Sequence, residues 1–459
     1  MSGPGNVAEI IDRQNVSGFQ IRILILCALA LMLDGFDNQA IAYVAPALQA
    51  ALHLQRGALG PVFTASVVGV ALGSIVIGPF ADRFGRTKVL IFTLLFFGAF
   101  SALVAMSASV FELMALRFCA GLGLGAVIPL VIVLCSEYSP SRHRAKMVTL
   151  MLCGYAVGAI CGGFVAVYFV PRLGWASVFY IGAVLPVLLA GALLIWMPES
   201  IRFLTLWPDA AGRIAAILKK INPKLVFETN TRFYMTAPDQ SMVGSGHAGQ
   251  LKQLFAENRT SVTLLLWTCL FMNLIGLNFL NNWLPTLVIH LGVPTPQALK
   301  AATALQFGGI CGIASMGFLA DRFGYYKVLA TVFLIGCAAV ALIGVVGASL
   351  VALIPAIAVA GFVVVGSQMT LGTLSATLYP TRIRATGSSW AFGVARLLSI
   401  VGPLAGGVML QARWPLSDVF FVAAVPMLFA AIAVMLMSRA ARLRSGAGAV
   451  IAETDASLA

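Results

Sequence analysis

The chain has 459 residues, 60% hydrophobic and only 10% charged, with a formal net charge of +13. A soluble domain needs more charge than that to cover its surface, so that class is excluded. The apolar residues form continuous blocks of spanning length and do not alternate with period two, which predicts membrane-spanning helices and excludes a transmembrane barrel.

Residues 1–20 form a polar tail with no cleavage pattern, so the first apolar block is read as a retained helix and not a signal peptide. That block, 21–47, contains Asp34 and Asp37. A carboxylate buried in hydrocarbon costs several kcal/mol unless it is paired, protonated or facing water. The two are three residues apart and share a helix face. At ~1.5 Å per residue from Arg22 they lie roughly 18 and 22 Å above the inner edge of the bilayer. Proton or substrate handling is the expectation for both.

Further spans are predicted at 58–80, 88–107, 111–135, 146–170 and 175–197. The long hydrophilic stretch 198–258 follows, basic and with apolar-periodic pieces such as 210–221 suited to a surface helix on the cytoplasmic face. Six more spans are predicted at 259–290, 298–319, 327–347, 350–378, 386–411 and 416–438, followed by a tail at 439–459. The expected fold is an all-α polytopic membrane protein of twelve transmembrane helices, in two six-helix bundles at 21–197 and 259–438. On one side of these spans the cations are only Arg56, Arg172, Lys300 and Arg413. Arg117 and Arg396 lie within spans, and the other Lys and Arg residues fall in the even-numbered gaps and the tails. This asymmetry places both termini in the cytoplasm and accounts for the basic charge without nucleic acid.

The halves repeat. Gly78-Pro-Phe-Ala-Asp-Arg-Phe-Gly-Arg-Thr-Lys-Val-Leu90 returns as Gly317-Phe-Leu-Ala-Asp-Arg-Phe-Gly-Tyr-Tyr-Lys-Val-Leu329, and Tyr138-Ser-Pro-Ser-Arg-His-Arg-Ala145 as Tyr379-Pro-Thr-Arg-Ile-Arg-Ala385. Duplication of a six-helix unit explains both echoes, and parallel repeats of this kind place a substrate cavity near the midplane between them. Asp82 with Arg83 and Arg86 suits breakable charge pairs that latch the cytoplasmic side; the alternative is that the loop only fixes topology. In the second copy Tyr325 and Tyr326 stand where basic residues are common, so a weaker latch through Asp321 and Arg322 is expected. Glu137, near Arg142 and Arg144, is expected to form a salt bridge there.

Arg117 lies ~21 Å above the inner edge by the same rise, at the depth of Asp34 and Asp37. A charge network follows in which protonation of one Asp frees Arg117; a static ion pair is the alternative. Gly121 and Gly125 make a small-residue face for close helix approach. In the second half, Arg396 sits near the midplane with no acidic residue of spans seven to twelve available to neutralise it. A planar guanidinium in a desolvated cavity suits a carboxylate, so an anionic substrate is expected. Asn273, Asn278, Asn281 and Asn282 on span seven are expected to face the cavity or a helix broken before Pro285, with Gln306 and Gln368 as lesser candidates. Phe36, Tyr43, Trp283 and Trp390 are placed to stack on a ring or simply to pack. The eight cysteines have no metal or disulfide spacing and are read as packing residues.

The Gly-x-x-x-Asp-Arg-x-Gly-Arg run at Gly78–Arg86 and Arg117-Phe-Cys-Ala-Gly-Leu-Gly-Leu-Gly125 resemble signatures of the major facilitator superfamily. Leu33-Asp-Gly-Phe-Asp37 looks like the Asp-Gly-x-Asp signature of its aromatic acid:proton symporter family. Pro198-Glu-Ser-Ile-Arg-Phe-Leu204 and Tyr379-Pro-Thr-Arg-Ile-Arg-Ala-Thr-Gly387 are similar to the same group, although Pro-Glu-Ser is shared with sugar and organic-cation porters. The resemblance implies proton-driven import of a benzoate-like acid through a bacterial inner membrane by a monomer. It implies roles for Asp34, Asp37 and Arg117 in proton coupling and for Arg396 in holding the substrate. Asn273, Asn278, Asn281, Trp390 and Phe36 are the further substrate-binding candidates, and Asp82, Arg83, Arg86, Asp321, Arg322, Glu137 and Arg142 the latch candidates. No cofactor, metal or enzymatic chemistry is expected. A drug:proton antiporter, a sugar-type porter and a transporter-like receptor are the rival readings.

Overall fold

The computed structural model describes residues 5–55, 57–225, 227, 231, 233–234, 254–256, 259–379 and 383–457. Pro380, Thr381 and Arg382 of the second echo, and most of 226–258, lie outside the described residues. Contacts divide the chain into two units, Met1–Gln240 and Ser241–Ala459. Among the described residues, twelve helices are long and apolar enough to cross a membrane.

The first unit opens with a short strand β1 (Gly5–Asn6) and helix α1 (Val7–Asp12). Its six spanning helices are α2 (Gly18–Ala51), α3 (Gly60–Phe84), α4 (Arg86–Val104), α5 (Val110–Tyr138), α6 (Ser141–Leu173) and α7 (Ala176–Trp196). Several are longer than the apolar blocks that announced them, because backbone hydrogen bonding continues past the hydrocarbon edge wherever caps permit. Ser17 starts α2 with a capping box: its Oγ accepts from the Gln20 amide, while its own N–H donates to Gln20 Oε1 at 2.8 Å. Gln20 Nε2 then donates to the Tyr138 carbonyl at 2.6 Å, tying the head of α2 to the tail of α5.

The segment after α7 and the N-terminal segment are part of this unit. Helix α8 (Ile201–Leu204), a 3₁₀ turn (Pro208–Ala210) and α9 (Ala211–Ile221) follow α7. Ile214, Ile217, Leu218 and Ile221 recur at helical spacing and are buried in the unit's core with Val7, Ile10 and Ile11 of α1. The expected surface helix at 210–221 therefore has one face in the core, and residues 7–12 of the expected tail are packed. Strand β2 (Phe233–Tyr234) pairs in parallel with β1, Gly5 opposite Phe233 and Asn6 opposite Tyr234.

The second unit holds α10 (Thr260–His290), α11 (Thr295–Phe323), α12 (Tyr325–Val346), α13 (Leu350–Leu378), α14 (Arg384–Leu398), α15 (Val401–Gln411) and α16 (Leu416–Ser457). Two features differ from expectation. Helix α10 continues through Pro285 instead of breaking; a buried helix tolerates proline where neighbouring groups satisfy the backbone. The break lies in span eleven, at Ser399–Ile400 between α14 and α15. Pro403 has no N–H to reach the Ser399 carbonyl four residues back, and that carbonyl accepts instead from Gly402 N at 3.1 Å.

Each unit uses the same pairings: α3 packs on α5 as α11 packs on α13, and α4 on α7 as α12 on α16. Glycines make the first pairing possible. A Cβ on Gly121 would meet the Ser66 carbonyl of α3 at 2.6 Å, and one on Gly312 the Phe362 carbonyl of α13 at 2.4 Å. The turns between spans two and three and between spans eight and nine are also alike: Gly85 at φ +102° and Gly324 at φ +87° occupy a region that side chains disfavour.

Candidate functional site

In the first unit, Arg117 of α5 is fully buried and its Nη1 donates to Asp37 Oδ2 of α2 at 2.8 Å. Nη2 donates to the Asp37 carbonyl at 3.3 Å and to Ser66 Oγ of α3 at 3.2 Å. Ser101 Oγ of α4 donates to the other carboxylate oxygen at 3.0 Å. The guanidinium carbon stands 6.0 Å from the ring centroid of Phe179 on α7. Five helices thus converge on one charge pair. The expected Asp–Arg pairing is present through Asp37. Asp34 is also buried, on the same helix. Arg117 Nε is buried with no hydrogen-bond partner, so the pair leaves one donor unsatisfied. Ser66 and Ser101 escaped sequence reasoning, since a serine in an apolar block looks like any other small residue. Phe36 is 3% exposed, and its ring lies within van der Waals reach of the positions a Cβ would take on Gly162 and Gly182, which sets it in the packing with α6 and α7.

At the end of the unit where α3 and α4 meet, Arg86 pairs with the buried Glu137 of α5 and lies 3.4 Å from the exposed Asp82. Ser200 joins the pair, donating to Glu137 Oε2 at 2.5 Å and accepting from Arg86 Nη1 at 3.2 Å. Glu199 Oε1 accepts from the amides of Thr87 and Ser200, each at 2.9 Å, and its carbonyl accepts from Tyr138 Oη at 2.6 Å. The pairing expected between Glu137 and Arg142 or Arg144 is replaced by Glu137–Arg86. Pro140 starts α6 in a new direction, and Arg142 donates instead to the Gln14 carbonyl at 2.9 Å and to Asn15 Oδ1 at 2.7 Å. Arg83 lies over the Phe84 ring at 5.5 Å. Glu199 and Ser200 belong to the Pro-Glu-Ser run, which sequence reading set aside as a poor discriminator.

The equivalent corner of the second unit is built otherwise. Asp321 accepts from Tyr325 Oη at 3.2 Å, and Arg322 lies over the Phe323 ring at 5.5 Å. Among the described residues no ion pair is present at Asp321 or Arg322. Tyr325 occupies the place of Arg86 and supplies its donor from the first residue of the following helix, across the Gly324 turn as Arg86 does across Gly85.

The amides of α10 are engaged with neighbouring helices. Asn273 Nδ2 donates to the Val364 carbonyl at 3.1 Å and to Gln368 Oε1 at 2.6 Å, and its Oδ1 accepts from Ser367 Oγ at 3.0 Å. Asn281 accepts from Gln306 Nε2 at 3.0 Å. Asn278 Nδ2 donates to Ser399 Oγ at 2.8 Å. Trp283 is buried and donates to the Pro403 carbonyl at 2.9 Å, whereas Trp390 on α14 is 43% exposed. Arg396 is half-buried near the end of α14, and among the described residues no carboxylate pairs with it. Asp418, at the head of α16, is exposed and bonded to Ser417 Oγ.

Two six-span units of like internal pairing, one built round a buried Asp–Arg pair and the other carrying within a span a guanidinium with no paired carboxylate among the described residues, define a multi-pass helical membrane protein of the duplicated type. The chain belongs to the Major Facilitator Superfamily, which it matches over residues 27–316 and again over 266–453. It is similar to the 4-hydroxybenzoate transporter PcaK of Pseudomonas putida, 36% identical over 94% of this chain and 95% of that one. The gallate transporter of Pseudomonas putida is 35% identical over 97% of each chain. A crystal structure of a bacterial homolog of the human lysosomal transporter Spinster, inward-facing and unoccupied, aligns with a TM-score of 0.70 at 17% identity, over 93% of this chain and 98% of that one; this likeness bears on the fold alone.

Proposed function

We propose that the protein is a proton-coupled symporter importing an aromatic carboxylate, such as a benzoate or hydroxybenzoate, across a bacterial inner membrane. It works as a monomer by alternating access, with both termini cytoplasmic. The observation that carries this reading is Arg396, a half-buried guanidinium in a membrane unit with no carboxylate paired to it among the described residues. A charge held at that depth is expensive unless an anion meets it, and its planar fork matches the two oxygens of a carboxylate. The names of the relatives at about one-third identity add the aromatic ring.

In this cycle the substrate carboxylate binds Arg396. Asn281 offers a polar contact and the exposed Trp390 indole offers a stacking face, while Asn278, whose amide is bound to Ser399, acts through that serine. Asn273, whose amide is already engaged, shapes the wall. A proton taken up by Asp34 or Asp37 neutralises the carboxylate side of the buried network and loosens its hold on Arg117, permitting the switch between outward and inward access. The Arg86–Glu137–Ser200 cluster, with Asp82, Arg83 and Arg142, latches the cytoplasmic side. Asp321, Arg322 and Tyr325 provide a weaker counterpart.

Uptake of radiolabelled 4-hydroxybenzoate into cells, with and without a protonophore, tests the reading. Accumulation should vanish when the proton gradient collapses, and accumulation that survives would exclude symport. Transport of a neutral sugar or a cationic drug in place of the acid would favour the rival porters.

A further inference from the structure

We infer that Ser399 and Asn278 are positioning residues that fix where the Arg396 guanidinium stands, acting through the backbone at the break in span eleven. The inference rests on the carboxylate role proposed for Arg396. The Ser399 hydroxyl is buried at the break and makes two bonds at once. It donates to the Arg396 carbonyl at 2.7 Å and accepts from Asn278 Nδ2 at 2.8 Å. Asn282 Nδ2 in turn donates to the Asn278 carbonyl at 2.7 Å. An unbroken relay therefore runs from α10 to the peptide group of the residue bearing the cation.

The backbone explains why such a relay is needed. The last turn of α14 closes with Ser399 N donating to the Ala395 carbonyl at 3.0 Å, and the chain then leaves the helix. The Arg396 carbonyl is one of the acceptors a helix end leaves over, and the Ser399 hydroxyl takes it. Beyond the break, α15 is held to α10 on its own terms. A Cβ on Gly402 would meet the Ile275 carbonyl at 2.7 Å, and Trp283 Nε1 bonds the Pro403 carbonyl. Before it, α14 is held to α13 by the Ser375–Ser388 hydroxyl pair at 2.9 Å. The Asn278–Ser399 bond joins α10 to the peptide between these two anchored pieces. With no ion pair to orient its tip, the Arg396 side chain takes its position from that peptide, and a site group must be held to about half an ångström by its supporting shell.

The test is a double-mutant cycle on radiolabelled 4-hydroxybenzoate uptake with Ser399→Ala, Asn278→Ala and the double variant, alongside Arg396→Ala. Each is read as KM and Vmax at matched membrane abundance, with inhibition by 4-hydroxybenzamide, which lacks the charge, measured in parallel. Loss of relay support predicts a KM rise of about tenfold in either single variant, Vmax within about twofold, and an unchanged inhibition constant for the amide. The double variant should be no worse than the worse single one. A KM near that of the parent chain in Ser399→Ala and Asn278→Ala, beside a strongly impaired Arg396→Ala, overturns the relay alone. Equal weakening toward acid and amide reduces it to a packing role and also overturns it. A normal KM in Arg396→Ala overturns the carboxylate assignment and this inference together. Should Ser399→Ala not reach the membrane, Asn278→Ala decides by the same criteria, since it leaves the serine in place at the break.

Discussion

Arg117 and Asp37 are both buried and lie 2.8 Å apart, with Ser66 and Ser101 satisfying the groups on either side. Removing one member of such a pair strands the other charge, at about 3–5 kcal/mol, whereas replacing both with apolar groups is often close to neutral. Asp37→Asn should therefore lower the melting temperature of the purified protein sharply, and Asp37→Leu with Arg117→Met should recover most of the loss. A double variant as unstable as the single one would show that the interaction is more than an offset desolvation penalty. Asp37 and Arg117 stand at matching depth by sequence alone, because both are ionisable residues inside apolar blocks and their distance along a helix is countable. The serines were not legible in that way, since only side-chain direction separates a bonding serine from a packing one. Nor was the partner of Glu137: proximity along the chain pointed to Arg142, and the turn at Pro140 carried that side chain elsewhere.

At the scale of elements, helices meet through glycine where no other residue fits. A Cβ on Gly121 would stand 2.6 Å from the Ser66 carbonyl and 3.2 Å from the Gly69 Cα, against α3 backbone that no side-chain rotation can move. Overpacking of this kind costs about 1–3 kcal/mol or more. Gly121→Val should separate α3 from α5 and lower the yield of monodisperse protein in size-exclusion chromatography. Gly191→Ala, in α7 with nothing within 4 Å of its new methyl group, should leave that yield unchanged or improved. The small-residue spacing of Gly121 and Gly125 announced a close approach, though not the helix that makes it. The reverse held for span seven, where Pro285 suggested a break and α10 runs through it, while the interruption fell at Ser399–Ile400 in a span that looked continuous.

Across the whole molecule, duplication has left the two units with like helix pairings and unlike corners. The first corner holds Arg86 against the buried Glu137 with Ser200 between them, and the second, among the described residues, an exposed Asp321–Tyr325 hydrogen bond. Breaking an exposed pair costs little, whereas removing one partner of a buried charged pair strands the other charge. Glu137→Gln should therefore reduce Vmax for uptake at least about tenfold, while Asp321→Asn stays within about twofold of the parent. Equal effects in the two variants would remove the asymmetry from the proposed latch.

What the amino-acid sequence determined alone is whatever a one-dimensional pattern can hold: twelve spans from apolar length, the repeat from its two echoes, and the depth of each charged residue from a constant rise. Tertiary structure decided the pairings among those residues, the packing of α1 and α9 into the first unit, and the place where span eleven gives way. Those outcomes depend on the direction in which each side chain leaves its helix and on which neighbour satisfies a displaced carbonyl. Both are properties of contacts between segments remote in the chain, and the order of residues within any one segment does not contain them.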